Sequence, residues 1–163
     1  MKLLITYFPP FGGRKVNISE IVAKKLPTKI NDYDVILRKL PVDPKRVETH
    51  VFNVVTAVRP DVVLGLGEFI NTQVESRARS VKNVPEWRYG RTEKLAEGMN
   101  KYVPTSSSLD PGDYSCNLAY RVFLDMNAIG VVRGKAAFVH LNYKDNDSEL
   151  VKAVEFGIHQ WLT

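Results

Sequence analysis

The run Asp61 to Gly67, DVVLGLG, constrains the fold more than any other stretch. A strand with one wet face alternates apolar and polar residues. This run is apolar without a break and ends in glycines, the pattern of a strand buried on both faces within a parallel sheet. Parallel strands need long crossovers, and the chain supplies them. Lys2 to Phe8 reads as a first strand, stopped by Pro9 and Pro10. Ile18, Ile21, Val22 and Leu26 then recur at helical spacing, with Asn17 or Ser19 as N-cap and Pro27 as terminator. Tyr33 to Leu40 gives a second strand. Asp43 and Pro44 open a helix whose stripe is Val47, Val51, Val54, Val55 and Val58, and Pro60 stops it.

Beyond the third strand, Glu68 to Pro111 holds few apolar residues and is expected to form short strands and loops. Leu118, Val122 and Met126 mark another helix, Ala136 to Leu141 another strand. Ser148 to Leu162 is a closing helix with Leu150, Val151, Val154, Ile158 and Trp161 inward. The alternation predicts a single α/β domain over residues 1–163: a three-layer α/β/α sandwich around a mostly parallel twisted sheet, with ligands bound at the carboxyl ends of the strands. A length of 163 residues suits one such core.

One cysteine excludes an internal disulfide framework. The apolar run Leu3 to Phe8 is too short for an export signal, and no segment approaches the roughly 18 to 20 apolar residues of a membrane span, so a soluble, cytoplasmic protein is expected. The net charge of +5 raises a nucleic-acid reading. The basic residues, however, are short pairs such as Lys24 and Lys25 or Arg77 and Arg79, dispersed among acidic and apolar neighbours with no aromatic interleaving. A solvated surface and no nucleic-acid partner are expected.

Chemistry is then sought at the strand ends. Cys116 follows the turn formers Asp110 to Gly112 and falls in the first turn of its helix, where free N–H groups and the helix dipole favour a thiolate. His140 lies near the end of the strand AAFVHLNY that follows this helix, so thiol and imidazole can meet at one edge of the sheet, the core of a cysteine nucleophile system. A lone cysteine can equally be a small buried apolar residue. His50 and His159 lie on helices, and with them no metal-ligand spacing arises. GLGEFI lacks the third glycine of a dinucleotide fingerprint and PPFGGRK lacks the Walker spacing. A histidine paired with a cysteine needs an orienting acceptor, and the residues alone leave Glu68, Glu75, Asp110 and Asp113 open.

Four stretches, in order, resemble the pyroglutamyl peptidase I family of cysteine exopeptidases: TYFPPFGGRKVNIS, RPDVVLGLGEF with VESRARS, SLDPGDYSCNLAY, and AAFVHLNY. The resemblance implies a thiol peptidase that removes an N-terminal pyroglutamyl residue through a thioester, without metal or cofactor. It implies Cys116 as nucleophile, His140 as its acid and base, and Glu75 as the residue orienting His140. It further implies Phe8, Phe11, Tyr114 and Gly67 around the lactam ring, and the Cys116 amide at the oxyanion. The matching place for a family arginine at the oxyanion is Asn83. The chain departs from the pattern at Glu68, Phe69 and Ile70, where the family has a glycine pair and an arginine, and in a shorter middle. These departures leave room for a related amidase on another small lactam or acyl substrate. A non-enzymatic RNA-binding protein of the same fold is the third reading, and self-association into a homo-oligomer stays open.

Overall fold

The structure, a computed structural model, describes residues 1–79, 87–110, 112 and 114–163. Among these a seven-stranded sheet has the order β2-β3-β1-β4-β9-β5-β8, beside a small antiparallel ribbon of β6 and β7. Its centre is β1 (Lys2–Tyr7), β3 (Tyr33–Lys39), β4 (Val62–Phe69) and β9 (Ala136–Asn142), all mutually parallel. Strand β5 (Gln73–Glu75) runs antiparallel to β9 and carries β8 (Ser106–Ser108) at one edge; β2 (Lys29–Ile30) runs antiparallel to β3 at the other. The ribbon pairs β6 (Arg77–Arg79) with β7 (Trp87–Tyr89).

Helices cover both faces. On one, α1 (Ile18–Lys25), α3 (Glu93–Met99) and α5 (Asp147–Leu162) bury Val22, Leu95, Met99, Val154 and Trp161 against Leu3, Leu64 and Val139. On the other, α2 (Pro44–Val58) and α4 (Ser115–Ala128) bury Val47, Val51, Val55 and Phe123 against Leu4, Val63 and Phe138. Successive β4 residues therefore point into different cores, which is why DVVLGLG has no polar alternation. Each fully buried side chain of this size contributes about 1.5–3 kcal/mol relative to exposure.

Local chemistry sets the helix starts. Asn17, not Ser19, caps α1, its side chain accepting from the Ser19 N–H; Asp43 caps α2 with Pro44 at the first helical position. One expectation is corrected. The stretch read as strands and loops contains α3, whose seven residues are too few to display a helical period but whose Leu95, Ala96 and Met99 pack on α5. Val151, expected inward on α5, is half-buried.

Candidate active site

The carboxyl ends of β4 and β9 and the start of α4 meet at one place. Cys116 is the second residue of α4, and both its neighbours are tied down. The Ser115 hydroxyl donates to the Val42 carbonyl in the turn before α2. Asn117 is fully buried and clasps β6 from both sides: its Oδ1 accepts from the Arg79 N–H at 3.0 Å and its Nδ2 donates to the Arg79 carbonyl at 3.0 Å. These bonds fix where the first turn of α4 points, and hence the thiol.

Gly67 on β4 explains the close approach. A Cβ built there would stand 3.0 Å from Cys116 Sγ and 3.0 Å from His140 Cδ2, tighter than side chains tolerate. Gly65, one turn of the pleat earlier, makes the same kind of room for the Phe138 ring, 2.2 Å from a built Cβ. The glycines of GLG are thus spaces for facing side chains, not a phosphate loop.

His140 sits on β9 opposite Gly67 on one side and Gln73 of β5 on the other. Its Nδ1 faces Glu75 Oε1 at 2.7 Å. Glu75 is fully buried, and a buried carboxylate costs several kcal/mol unless paired. Oε1 meets that need by taking both His140 and the Gln73 Nε2 donor, the latter at 2.8 Å; among the described residues the other oxygen, Oε2, has no partner. The Tyr120 hydroxyl holds the Glu75 backbone from beneath by donating to its carbonyl at 3.0 Å, and burial raises the Tyr120 phenol well above its ordinary range. With Nδ1 engaged, the second ring nitrogen of His140 is left for Cys116, which lines the same cavity and whose Sγ lies, like His140 Cδ2, against Gly67. Burial alone would lower the imidazole pKa, but the hydrogen bonds and charges of Cys116 and Glu75 outweigh it and hold His140 up at about 9. The Phe138 and Phe69 rings flank the imidazole at 5.2 and 5.5 Å.

A cavity of about 380 Å³ opens over this trio. Cys116, His140 and Gln73 form its floor and side, Phe11, Phe69 and Tyr114 its apolar walls, with Glu68, Asp110 and Gly112 at the margin. Of the residues expected around a ring, Phe11 and Tyr114 line this space and Gly67 lies beneath it. Phe8 lies elsewhere, buried in the core with Leu4 and Leu118, because the chain bends out of β1 after Tyr7. Asn83 and Asp113 lie outside the described residues.

Of the remaining open carboxylates, Asp110 accepts from the Gly112 N–H in its own turn. Glu68 is paired away from His140: it binds the Arg14 guanidinium and accepts from the Ile18 N–H at 2.8 Å. Arg14 also lies over the Tyr143 ring, 4.5 Å from its centre. These contacts anchor the loop that carries Phe11. Asn117, Gln73 and Arg14 escaped the reading from sequence; the pairing of Arg14 with Glu68, across 54 residues, has no local signal. Among the described residues no group of three or more His, Cys, Asp or Glu side chains is placed to hold a metal, and no helix is long and apolar enough to cross a membrane.

The chain is similar to known proteins along most of its length. The sequence profile described as pyroglutamyl peptidase matches residues 1–94, which include Glu75 and end before Cys116 and His140. Pyrrolidone-carboxylate peptidase of Coprothermobacter proteolyticus is 30% identical over 171 residues, covering 87% of this chain and 81% of its own. That of Thermococcus onnurineus is 29% identical over 169 residues, covering 88% and 84%. A mutant pyrrolidone carboxyl peptidase from Pyrococcus furiosus shares the fold with a TM-score of 0.89 at 22% identity, covering 99% of this chain and 98% of that one. The chain belongs to the pyroglutamyl peptidase family.

Proposed function

We propose that this chain is a cysteine peptidase that removes an N-terminal pyroglutamyl residue from peptides, with residues 1–163 acting as one domain. The observation that carries the reading is the Glu75–His140 hydrogen bond set beside Cys116 at the floor of an apolar cavity.

The chemistry follows from the contacts. The His140 imidazolium, favoured at neutral pH, offers its charge to a Cys116 thiolate. The sulfur attacks the pyroglutamyl carbonyl carbon, and the unpaired amides of the first turn of α4 face the oxyanion. The S–C bond forms as the scissile C–N bond breaks, and His140 passes its proton to the departing amine. Acylation removes the thiolate that had helped to hold the imidazolium, so the pKa of His140 falls and the ring becomes a base. It takes a proton from water as the new O–C bond forms; the S–C bond then breaks, releasing pyroglutamic acid and restoring the ion pair. Glu75, hydrogen-bonded to Nδ1, fixes the tautomer and faces the imidazolium that forms.

Selection also follows from the walls. A neutral five-membered lactam loses little on leaving water for a pocket of Phe11, Phe69 and Tyr114, whereas a charged amino terminus would be stripped of its solvent there. The test is release of aminocoumarin from pyroglutamyl-aminocoumarin by the wild type and by Cys116→Ser. Turnover by the wild type that vanishes in the variant is expected. A pure wild type without turnover, whose Cys116 reacts with iodoacetamide no faster than a free thiol, sinks the reading.

A further inference from the structure

The Gln73 amide is satisfied at one end only. Its Nε2 donates to Glu75 Oε1 at 2.8 Å, and since a carboxylate only accepts, the orientation of the amide is settled by its partner. The carbonyl oxygen of Gln73 therefore faces away from Glu75, and among the described residues no group donates to it. Gln73 is half-buried, lies on the cavity wall, and stands next to His140 as its register partner across β5 and β9. In the open cavity, water can serve this oxygen. A ligand that fills the cavity displaces that water, and the acceptor is left unpaired unless the ligand brings a donor of its own.

We propose that Gln73 is a selectivity residue whose side-chain carbonyl accepts the ring N–H of the pyroglutamyl lactam. This rests on the function proposed above. In a pyroglutamyl group the ring nitrogen is bonded to the carbon that bears the scissile carbonyl. A substrate with its carbonyl carbon at Cys116 Sγ thus carries its ring N–H within two bonds of the reacting atom, on the wall beside His140. Gln73 is the cavity-lining polar residue in register with His140, and its carbonyl is an acceptor to spare. Because one of its two N–H groups is committed to Glu75, the amide cannot flip to put a donor where its carbonyl stands without abandoning that carboxylate, so the position is set to receive an N–H and to reject a ring atom that lacks one.

The test compares two substrates of nearly equal shape, pyroglutamyl-aminocoumarin and its counterpart with oxygen in place of the ring N–H, in the wild type and in Gln73→Met. The wild type is expected to favour the lactam by about tenfold to a hundredfold in kcat/KM, and the variant to bring the ratio within about threefold of unity. A role confined to supporting Glu75 would lower both substrates alike and leave their ratio unchanged, which overturns the proposal. A second readout needs neither turnover nor a folded variant: protection of wild-type Cys116 from iodoacetamide by 2-pyrrolidone and by γ-butyrolactone. Stronger protection by the lactam is expected; equal protection overturns the proposal. A wild type that cleaves neither substrate, and whose Cys116 reacts with iodoacetamide no faster than a free thiol, defeats the peptidase reading, and the protection ratio then still decides the role of Gln73.

Discussion

The floor of the cavity and its walls are built in different ways. On the floor and beneath it the groups are engaged and mostly buried: His140 with Glu75, Glu75 with Gln73, Asn117 with Arg79, and Tyr120 with the Glu75 backbone, while Cys116 and Gln73 are half-buried where they meet the cavity. All stand on strands or on α4. The walls are open to solvent and stand on loops or, for Phe69, at the last residue of a strand; Phe11 is 43% exposed and Tyr114 77% exposed. In the proposed function the trio must hold its geometry within fractions of an ångström, for which a packed sheet is suited, while a ring pocket would need only apolar surface of suitable shape. Changes on the floor should therefore act on rate, and changes in the walls on binding.

The strongest trial of that division is Glu75→Gln. The amide keeps nearly the same shape but loses the charge that balances the imidazolium, and it places a buried N–H₂ group where a carboxylate oxygen now stands. The expected loss in kcat is on the order of 10²- to 10⁴-fold, with KM for pyroglutamyl-aminocoumarin nearly unchanged. Steady-state kinetics check both numbers. A variant with wild-type kcat would remove Glu75 from the relay, and with it the claim that the floor controls rate.

The next effect is smaller and needs no substitution. His140 titrates at about 9 against 6.5 for an ordinary imidazole. A raised folded-state pKa means that the imidazolium, and the stability it contributes, are fully present below pH 6.5 and are lost as pH climbs through 9. In the proposed mechanism His140 protonates the leaving amine, so single-turnover release of aminocoumarin should fall by about tenfold per pH unit above that value. In Glu75→Gln the same limb should move to lower pH, because one of the two partners raising the pKa is gone. A limb that stays in place would show that Glu75 does not set the titration.

How much of this could be read from the chain follows the same division. The meeting of Cys116 and His140 was legible because strand order alone brings the start of α4 and the end of β9 to one edge. Glu75 was not: Glu68, Asp110 and Asp113 were equal candidates from residue type and position, and only the resemblance to a family singled Glu75 out. The structure gives Glu68 and Asp110 physical reasons for being elsewhere, one held by Arg14 and the other by its own turn. Phe8 and Phe11 look equivalent after β1, yet one lies in the core and the other lines the cavity. Gln73 and Asn117 left no signal, since each acts through a partner distant in sequence or on a facing strand. The helix α3 was hidden by its brevity.

The mildest prediction probes the walls. Arg14→Met removes the ion pair with Glu68 and the contact over Tyr143, loosening the loop that carries Phe11. The Arg14 side chain is 39% exposed and that of Glu68 only 3%, so solvent screens one partner while the other is left buried with the Ile18 N–H as its support. The cost should fall between a surface pair and a buried one, about 1 kcal/mol, or a fall of about 2–4 °C in Tm. KM should rise by a few-fold, because the Phe11 wall is less well held, while kcat stays within about twofold of the wild type. Thermal melts and steady-state kinetics read both. If kcat fell instead and KM did not move, the Phe11 loop would be acting on the geometry of Cys116 and His140 rather than on the ring, and floor and walls would have to be treated as one mechanical unit.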